Sequence, residues 1–254
     1  MKSNVYEYEK IEDKRVVLLQ SGGLDSNICA AMLAHYGFEI HYLFVNYGQN
    51  THEVELRTVK EVVEHYGGTL HCVELKADWL MNNKLSQGNI DDWHAEGDFN
   101  TIDEGTYVPL RNMFLLSLAG SLAEDLSIKY ICAALDGAED LDGNPLCGTT
   151  DKHPTFVKKA ESAIIEGSSL HHIYGTDITI LTPLIDLYKR EIIQLGVEFN
   201  ADLSKSWSCY NSFDKPCGKC SACKERARGF YQAGVKDPLM QKYGVNIPLN
   251  KLFS

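Results

Sequence analysis

The sequence predicts an α/β protein in which a parallel sheet lies between two layers of helices, and three observations indicate this fold. Strand-like apolar runs alternate along the chain with stretches of helical spacing, which favours a parallel sheet with right-handed crossovers. Two consecutive glycines, Gly22 and Gly23, join the first apolar run to the first helical stretch. Four cysteines cluster after residue 200, so we predict a main domain over residues 1–200 and a small metal-binding segment over residues 201–254.

The first half of the chain contributes three strands and two helices to this prediction. Apolar residues over 16–19 predict the first strand, and apolar positions from Ile28 onward have the spacing of a helix. A second apolar run predicts a strand over residues 39–46. Helical spacing follows over residues 51–66, and residues 69–75 predict a third strand.

The second half of the chain is less regular but repeats the same alternation. Residues 76–105 show no sustained period, and we predict that they form a flap, because a long loop inside a compact domain is usually functional. Pro109 suits the first position of a helix that runs to about residue 126. The remaining predicted elements are strands over residues 130–134 and 178–181 and helices over residues 154–165 and 184–196, the last with Asp186 as its N-cap and Gly196 at its end.

The turn after the first strand has the composition of an anion-binding loop. It consists of Ser21, Gly22, Gly23, Leu24, Asp25 and Ser26. The glycines let the backbone close around an anion, and free N–H groups at the start of the next helix favour negative charge there. An ordinary turn between a strand and a helix would use the glycines for geometry alone. The string resembles the SGGxDS pyrophosphate loop of the N-type ATP pyrophosphatases, which adenylate a substrate with ATP and release pyrophosphate.

Other polar residues are predicted at the same edge of the sheet as this loop. Ligands of parallel sheets bind beyond the carboxyl ends of the strands, where Tyr47 and Gln49 follow the second strand. Arg111 and Asn112 fall in the first turn of a helix, where a cation opposes the helix dipole. An anionic partner would remove this conflict, whereas a surface arginine would tolerate it at small cost. Lys189 could reach phosphate groups or lie on an exposed helical face.

The composition limits the classes of function. The formal net charge is −11, from 24 basic and 35 acidic residues, and this discourages broad binding to DNA or RNA. No apolar run approaches the roughly 20 residues of a membrane span, and the charged N-terminus is unlike a secretory signal peptide. We therefore expect a cytoplasmic protein without a nucleic-acid or membrane partner, whose eight cysteines are not paired in disulfides.

The clustered cysteines predict a metal site. The cluster consists of Cys209, Cys217, Cys220 and Cys223, spaced C-x7-C-x2-C-x2-C. Four thiolates at this spacing can converge on one Zn²⁺, and four protein ligands leave no open position, so the metal is expected to be structural. An iron–sulfur cluster and redox-active thiols are the alternatives. Of the scattered cysteines, Cys29, Cys72 and Cys132 are expected to be small buried core residues.

Three motifs occur in order along the chain and together narrow the family. They are SGGLDS at residues 21–26, TYVPLRN at residues 106–112, and WSCY-x6-CGKCSACKERARGF at residues 207–230. In this combination the chain resembles the 7-cyano-7-deazaguanine synthase (QueC) family. Two further segments, FVNYGQ at residues 44–49 and TPLIDLYKRE at residues 182–191, also resemble that family.

The resemblance implies a fold, a set of ligands and a reaction. The fold is the Rossmann-like three-layer sheet of the adenine nucleotide hydrolases, in a homodimer with one Zn²⁺ per subunit. The reaction is ATP-dependent conversion of 7-carboxy-7-deazaguanine and ammonia into the nitrile, with Mg²⁺ assisting. Carried over by position, the residues implied to bind the ATP phosphates are Ser21, Gly22, Gly23, Asp25 and Ser26, and Arg111 and Asn112 are implied to line the substrate or phosphate side. We further expect Leu24, Tyr47, Gln49 and Lys189 to contribute to nucleotide binding. Ser21, Asp25 and Arg111 are the implied catalytic residues.

One segment departs from the family pattern. After the fourth strand the family has a segment like D-x-SGYPDCR, whereas residues 140–150 here read DLDGNPLCGTT, with Gly148 where arginine is expected. The change falls in the loop expected to meet the base or the attacking amine. A second hypothesis is therefore a paralogue that joins the activated deazaguanine carboxylate to another amine, such as a protein N-terminus, in an antiphage defence system. The acidic charge disfavours a third hypothesis, a tRNA-thiolating enzyme.

Overall fold

A five-stranded parallel sheet forms the centre of the molecule. The computed structural model describes residues 4–76, 108–136 and 150–252. The strands are β1 Arg15–Leu19, β2 Glu39–Asn46, β3 Thr69–Glu74, β4 Tyr130–Ala133 and β5 Thr179–Leu181. They lie side by side in the order β3-β2-β1-β4-β5, and each neighbouring pair is parallel. All five coincide with predicted strands.

Helices cover both faces of this sheet. They are α1 Leu24–His35, α2 His52–Tyr66, α3 Arg111–Asp125, α4 Pro154–Gly167, α5 Ser169–Tyr174, α6 Lys189–Glu198, α7 Ser221–Ala233 and α8 Pro238–Lys242, with short 3₁₀ helices at Asn4–Lys10, Thr150–Lys152 and Leu249–Lys251. None of the helices in the described part of the chain has the length and apolarity that a membrane span requires.

Successive residues of β1 point to opposite faces and belong to separate cores. Val16 and Leu18 pack with apolar residues of α1, α2 and α6, whereas Val17 packs with apolar residues of α3 and α4. This alternation is the normal consequence of the two-residue period of a strand. The sheet is therefore the middle of three layers, which confirms the predicted α/β class.

The start of α3 differs from the prediction. Pro109 is not the first helical residue, because the helix begins at Arg111 and Leu110 is its N-cap. Leu110 has a φ of 52°, in the left-handed region that bulky side chains rarely adopt. Proline disfavours the helical region for the residue before it, and here the chain enters the helix only after Leu110. The prediction that Arg111 and Asn112 lie in the first turn is confirmed.

The start and the interior of α6 also correct the prediction. The helix begins at Lys189 rather than near Asp186, and Tyr188 is its N-cap. The Glu191 carboxylate accepts a hydrogen bond from the Tyr188 N–H at 2.9 Å, the contact of a capping box, which stabilises this start. Gly196 lies inside the helix and does not end it.

Gly196 lets α6 approach α1 closely, so its replacement should destabilise the fold. A Cβ at Gly196 would come within 2.9 Å of side-chain carbons of Ile28 and Leu203. We expect Gly196→Ala to lower the free energy of unfolding by about 1–3 kcal/mol, because overpacking a dense core has this cost. Urea denaturation followed by circular dichroism measures the change. Gly167→Ala is the matched control, since nothing lies within 4 Å of a Cβ there; equal effects of the two substitutions would contradict the prediction.

The scattered cysteines divide into two groups. Cys29 and Cys132 are buried as predicted, but the prediction for Cys72 is wrong because its side chain is exposed. Cys72 lies on β3, which stands at one end of the strand order and, among the described residues, has a neighbouring strand on one side only. The predicted flap at 76–105 and the altered loop at 140–150 fall, apart from Lys76 and Thr150, outside the described residues. The domain boundary at residue 200 stays a prediction.

Candidate functional site

A cavity of about 350 Å³ opens at the carboxyl ends of β1, β2 and β4. In open parallel sheets this is the edge where ligands bind. The predicted site residues that line the cavity are Ser21, Gly23, Leu24, Asp25, Ser26, Tyr47, Arg111, Asn112 and Lys189. The fold therefore brings together candidate residues from segments that are far apart in the sequence.

Two predicted residues, Gly22 and Gln49, stand behind the wall of this cavity. Gly22 has a φ of 75°, and a Cβ there would lie 2.8 Å from the backbone oxygen of Glu55. Gln49 is buried, and its side-chain amide donates to the Val45 carbonyl at 3.2 Å and to the Glu55 carboxylate at 3.0 Å. Both residues thus help to pack the loop at residues 21–26 against α2, and their part in nucleotide binding stays a prediction.

The loop at residues 21–26, called the glycine loop below, is held by its own side chains. The Ser21 hydroxyl accepts a hydrogen bond from the Gly23 N–H at 3.2 Å. The Ser26 hydroxyl donates to the Gly23 carbonyl at 3.1 Å and lies 3.3 Å from the Ser21 hydroxyl. Gly23 is the N-cap of α1 and has no side chain that could cap the helix. The N–H groups of the first helical turn are therefore suited to an anion.

Lys189 connects the glycine loop with the end of β4. Its Nζ donates to the Asp25 carboxylate at 2.7 Å and to the Asp136 carboxylate at 2.8 Å. Asp136 accepts a further hydrogen bond from Lys152 Nζ at 2.6 Å. Sequence reasoning identified Lys189 but missed Asp136 and Lys152, because no local pattern indicates that these three segments meet.

Burial and ion pairing shift the pKa values of this cluster in different directions. Burial by itself would raise the pKa of Asp136, but the ammonium groups of Lys152 and Lys189 hold it well below its ordinary value. Burial raises the pKa of Asp25, and Lys189 offsets only part of that rise. Burial opposes the charge on Lys189, yet Asp136 and Asp25 raise its pKa well above the ordinary value. Lys189 is therefore a firmly charged cation shared by two carboxylates.

Arg111 faces the cavity from the first turn of α3 and does not occupy a surface position. The side chains of Tyr47 and Tyr210 are its neighbours and also line the cavity. Burial opposes the charge on Arg111, but these neighbours and Asp151 raise its pKa. Asn112 follows it, and the Asn112 Nδ2 donates to the Asp151 carbonyl at 3.1 Å.

A partly buried carboxyl group, that of Glu55, completes this wall of the cavity. It accepts hydrogen bonds from the Thr51 hydroxyl at 2.6 Å and from the Gln49 amide at 3.0 Å. Burial raises the pKa of Glu55 despite these donors and the nearby Arg111. Acidic residues are common in the first turn of a helix, so its position in the sequence gave no signal of a place in the cavity.

The four clustered cysteines converge in space. Their sulfur atoms all lie within 4.8 Å of one another. Four thiolates at metal–sulfur distances of about 2.3 Å in a tetrahedron lie about 3.8 Å apart. The sulfur atoms of Cys217 and Cys223 are 4.0 Å apart, which is near this spacing, so the residues fit one metal ion. Backbone N–H groups of Cys217 and Cys220 donate to Cys209 Sγ and Cys217 Sγ, each at 3.3 Å. The predicted convergence of the four cysteines is therefore confirmed, and their role as metal ligands stays a prediction.

The metal-binding segment is joined directly to the glycine loop. The Trp207 N–H donates to the Gly22 carbonyl at 2.7 Å. Arg226, on α7, is 2% exposed and donates to both carboxylate oxygens of Asp237, at 2.7 and 3.0 Å. It also donates to the hydroxyl groups of Ser206 and Ser208 at 2.8 and 3.2 Å. This buried arginine therefore holds the non-regular segment that carries Trp207 against α7.

Comparisons with known proteins agree with the motifs. A family model described as "Queuosine biosynthesis protein QueC" matches residues 15–234. The chain is 36% identical over 231 residues to the 7-cyano-7-deazaguanine synthase of Nitratiruptor sp., covering 90% of this chain and 99% of that protein. It is 36% identical over 230 residues to that of Chlorobaculum parvum, covering 89% and 95%. The solved NMN synthetase of Francisella tularensis is 12% identical with a TM-score of 0.47, covering 98% of this chain and 86% of that chain.

Proposed function

The chain belongs to the QueC family of queuosine biosynthesis proteins, and from that premise we propose that it is an ATP-dependent 7-cyano-7-deazaguanine synthase. The observation that carries the proposal is the cavity in which the glycine loop meets Arg111 and Lys189. Backbone N–H groups at a helix start, beside two cations, suit the phosphates of a nucleotide. The relatives that bear this enzyme name match the chain over nearly their whole length.

The proposed chemistry explains why a nucleotide is needed. A carboxylate is a poor electrophile, because oxide would have to leave. Attack of the 7-carboxy-7-deazaguanine carboxylate on the α-phosphorus of ATP forms an acyl adenylate and releases pyrophosphate. Ammonia then attacks the acyl carbon, AMP leaves, and an amide is formed. A second ATP activates the amide oxygen in the same way, and loss of AMP and protons gives the nitrile.

The described residues suit this scheme through positioning and charge. The first turn of α1 and the hydroxyl groups of Ser21 and Ser26 would bind the departing pyrophosphate. Lys189 would balance its negative charge, and Arg111 would stabilise the charge that develops on the transferred phosphate. No side chain has to form a covalent bond to the substrate, so orientation and electrostatic stabilisation supply the acceleration.

We propose Asp25 as the residue that holds Mg²⁺. Its Oδ1 is buried, and among the described residues it has no hydrogen-bond partner. Carboxylate oxygens are the ligands that Mg²⁺ prefers. When bound there, the ion would supply further neutralisation of phosphate charge.

We propose Zn²⁺ as the metal of the four cysteines, with a structural role. Thiolate ligands in a tetrahedral arrangement favour zinc or an iron–sulfur cluster. A set of four protein ligands leaves no open position for a substrate. The hydrogen bond from Trp207 to Gly22 supports a role in holding the glycine loop in place.

One reconstitution tests the reaction. Purified protein is incubated with ATP, Mg²⁺, 7-carboxy-7-deazaguanine and ammonium, and the products are identified by mass spectrometry. We expect the nitrile together with AMP and pyrophosphate. The same mixture without the deazaguanine is the control, and no AMP above that control would contradict the proposed function.

The altered segment at residues 140–150 favours a second candidate acceptor. The enzyme would then join the activated carboxylate to another amine, such as a protein N-terminus, in an antiphage defence system. AMP formation without nitrile, followed by a mass increase on an added amine-bearing protein, would support this candidate over the first.

The proposed assembly is a homodimer in both cases, and light scattering that gives twice the mass of one chain would support it.

A further inference from the structure

One carboxylate in the cavity holds two lysines, and the scheme above gives a role to only one of them. Asp136 lies three residues beyond the end of β4 and is 8% exposed. Its Oδ1 accepts a hydrogen bond from Lys152 Nζ at 2.6 Å, and its Oδ2 accepts one from Lys189 Nζ at 2.8 Å. Asp136 therefore fixes the positions of two cations that come from separate segments of the chain.

The two lysines belong to different sides of the cavity. Lys189 also donates to Asp25 of the glycine loop at 2.7 Å, so it lies on the side proposed for phosphate. The segment of Lys152 is tied instead to the start of α3, where the Asp151 carbonyl accepts from the Asn112 Nδ2 at 3.1 Å. Lys152 therefore stands near the first turn that carries Arg111.

Lys152 keeps binding capacity for a ligand. In the described part of the chain, Asp136 is the one carboxylate within ion-pair distance of its Nζ. An ammonium group has three N–H donors, and among the described residues only one of these donors has a partner at Lys152, which lines the cavity. Asp136 raises the pKa of Lys152 despite burial, and the side chain is therefore a cation.

We propose that Lys152 binds the carboxylate of the acid substrate, and that Asp136 is the positioning residue that holds Lys152 at this carboxylate and Lys189 at the phosphates. This inference rests on the proposed function, in which two anions, a carboxylate and a triphosphate, must approach each other. A cation beside each of these two anions reduces the repulsion between them and orients the attacking carboxylate oxygen. Because Lys152 is positively charged, we expect the cavity to bind a substrate with a carboxylate more tightly than one with a neutral group at the same position.

Kinetics of AMP formation by the full-length protein test the assignment. We expect Lys152→Gln to raise the KM for 7-carboxy-7-deazaguanine by about 10–100-fold, the cost of one hydrogen bond to a charged group, and to leave the KM for ATP within about twofold. Lys152→Arg should restore most of the affinity, because it keeps the charge. Asp136→Asn should raise both KM values, since it releases both lysines.

A double-mutant cycle separates positioning from a purely structural ion pair. If Asp136 acts through Lys152, the effects of Asp136→Asn and Lys152→Gln on the KM for the acid will not add. Lys159→Gln is the matched control, because Lys159 is an exposed lysine on α4. Thermal unfolding followed by circular dichroism verifies that each variant folds. If Asp136→Asn does not fold, the comparison of Lys152→Gln with Lys152→Arg still tests the assignment.

The outcomes distinguish this inference from the proposed function. An unchanged KM for the acid in Lys152→Gln, or a larger rise in the KM for ATP, would overturn the inference while wild-type activity upholds the function. Wild-type protein that neither binds nor activates 7-carboxy-7-deazaguanine would overturn both. If turnover of Lys152→Gln is too slow to measure, calorimetric binding of the same acid gives the comparison.

Discussion

Replacing Asp25 with asparagine is expected to slow AMP formation by about 10²–10³-fold, the effect of removing one preorganised electrostatic group from an active site. Asp25 holds Lys189 at 2.7 Å, and its second oxygen is the proposed Mg²⁺ ligand. Asparagine has nearly the same size but lacks the charge that both partners require. The rate is measured as pyrophosphate release with saturating ATP, Mg²⁺ and 7-carboxy-7-deazaguanine.

The same substitution should not unfold the protein. Burial raises the pKa of Asp25, so the folded state binds a proton there more tightly than the unfolded state. The contribution of this group to the free energy of unfolding therefore falls as the pH rises from its unfolded pKa towards the raised folded value. Asparagine does not titrate, and Asp25→Asn should lose less stability over that interval than the wild type. Denaturant unfolding at several pH values measures the difference.

Asp125→Asn is the matched control for this experiment. Asp125 is an exposed aspartate at the end of α3 and has no part in the cavity. Loss of its charge should leave the rate of pyrophosphate release within about twofold, since exposed substitutions usually have small effects. A rate for Asp25→Asn above one tenth of the wild-type rate, at about equal stability, would refute the role assigned to Asp25.

Removal of one cysteine of the metal cluster is expected to have the largest effect on stability. Cys223 is fully buried, and its sulfur lies 4.0 Å from that of Cys217. Cys223→Ser should lower the free energy of unfolding by more than about 4 kcal/mol, because single substitutions reach this size in exceptional cases such as the loss of a metal site. We also expect weaker ATP binding, because Trp207 would no longer hold the Gly22 carbonyl in place.

Zinc content and unfolding should change together in this experiment. Elemental analysis is expected to give one zinc per wild-type chain and less in Cys223→Ser, with a matching fall in denaturant midpoint. Cys72→Ser is the control, since Cys72 is an exposed cysteine outside the cluster. A Cys223→Ser protein with wild-type stability would contradict the structural role, and iron in the wild type would contradict the assignment of zinc.

The order of the elements could be predicted because hydrophobic periodicity is a local property. Five apolar runs became the five strands, and the spacing of apolar residues located the main helices. Helix starts were less predictable, as α3 and α6 show. The start of α6 follows from a contact between Glu191 and the Tyr188 backbone, and that of α3 from the unusual backbone of Leu110. A periodic pattern contains neither feature.

The glycine loop and the cysteine cluster were identifiable because most of their residues are neighbours in the sequence. The charge cluster was not. Lys189 and Asp25 are 164 positions apart, and Asp136 and Lys152 belong to two further segments. Each of these residues taken alone is an ordinary charged side chain, and only the packing of α6 and the end of β4 beside the glycine loop turns them into one group.

The sequence by itself predicted the α/β class, a glycine loop suited to an anion, a cluster of four cysteines and the resemblance to one family, because each rests on spacing within a short stretch. Only the tertiary structure decided that Asp136 joins two lysines over the cavity, that Gln49 and Gly22 support its wall, and that Trp207 connects the metal segment to the loop. The physical reason is that these contacts arise when distant segments pack against the same sheet edge. Local patterning specifies the segments, and burial of their apolar faces sets which polar groups then meet.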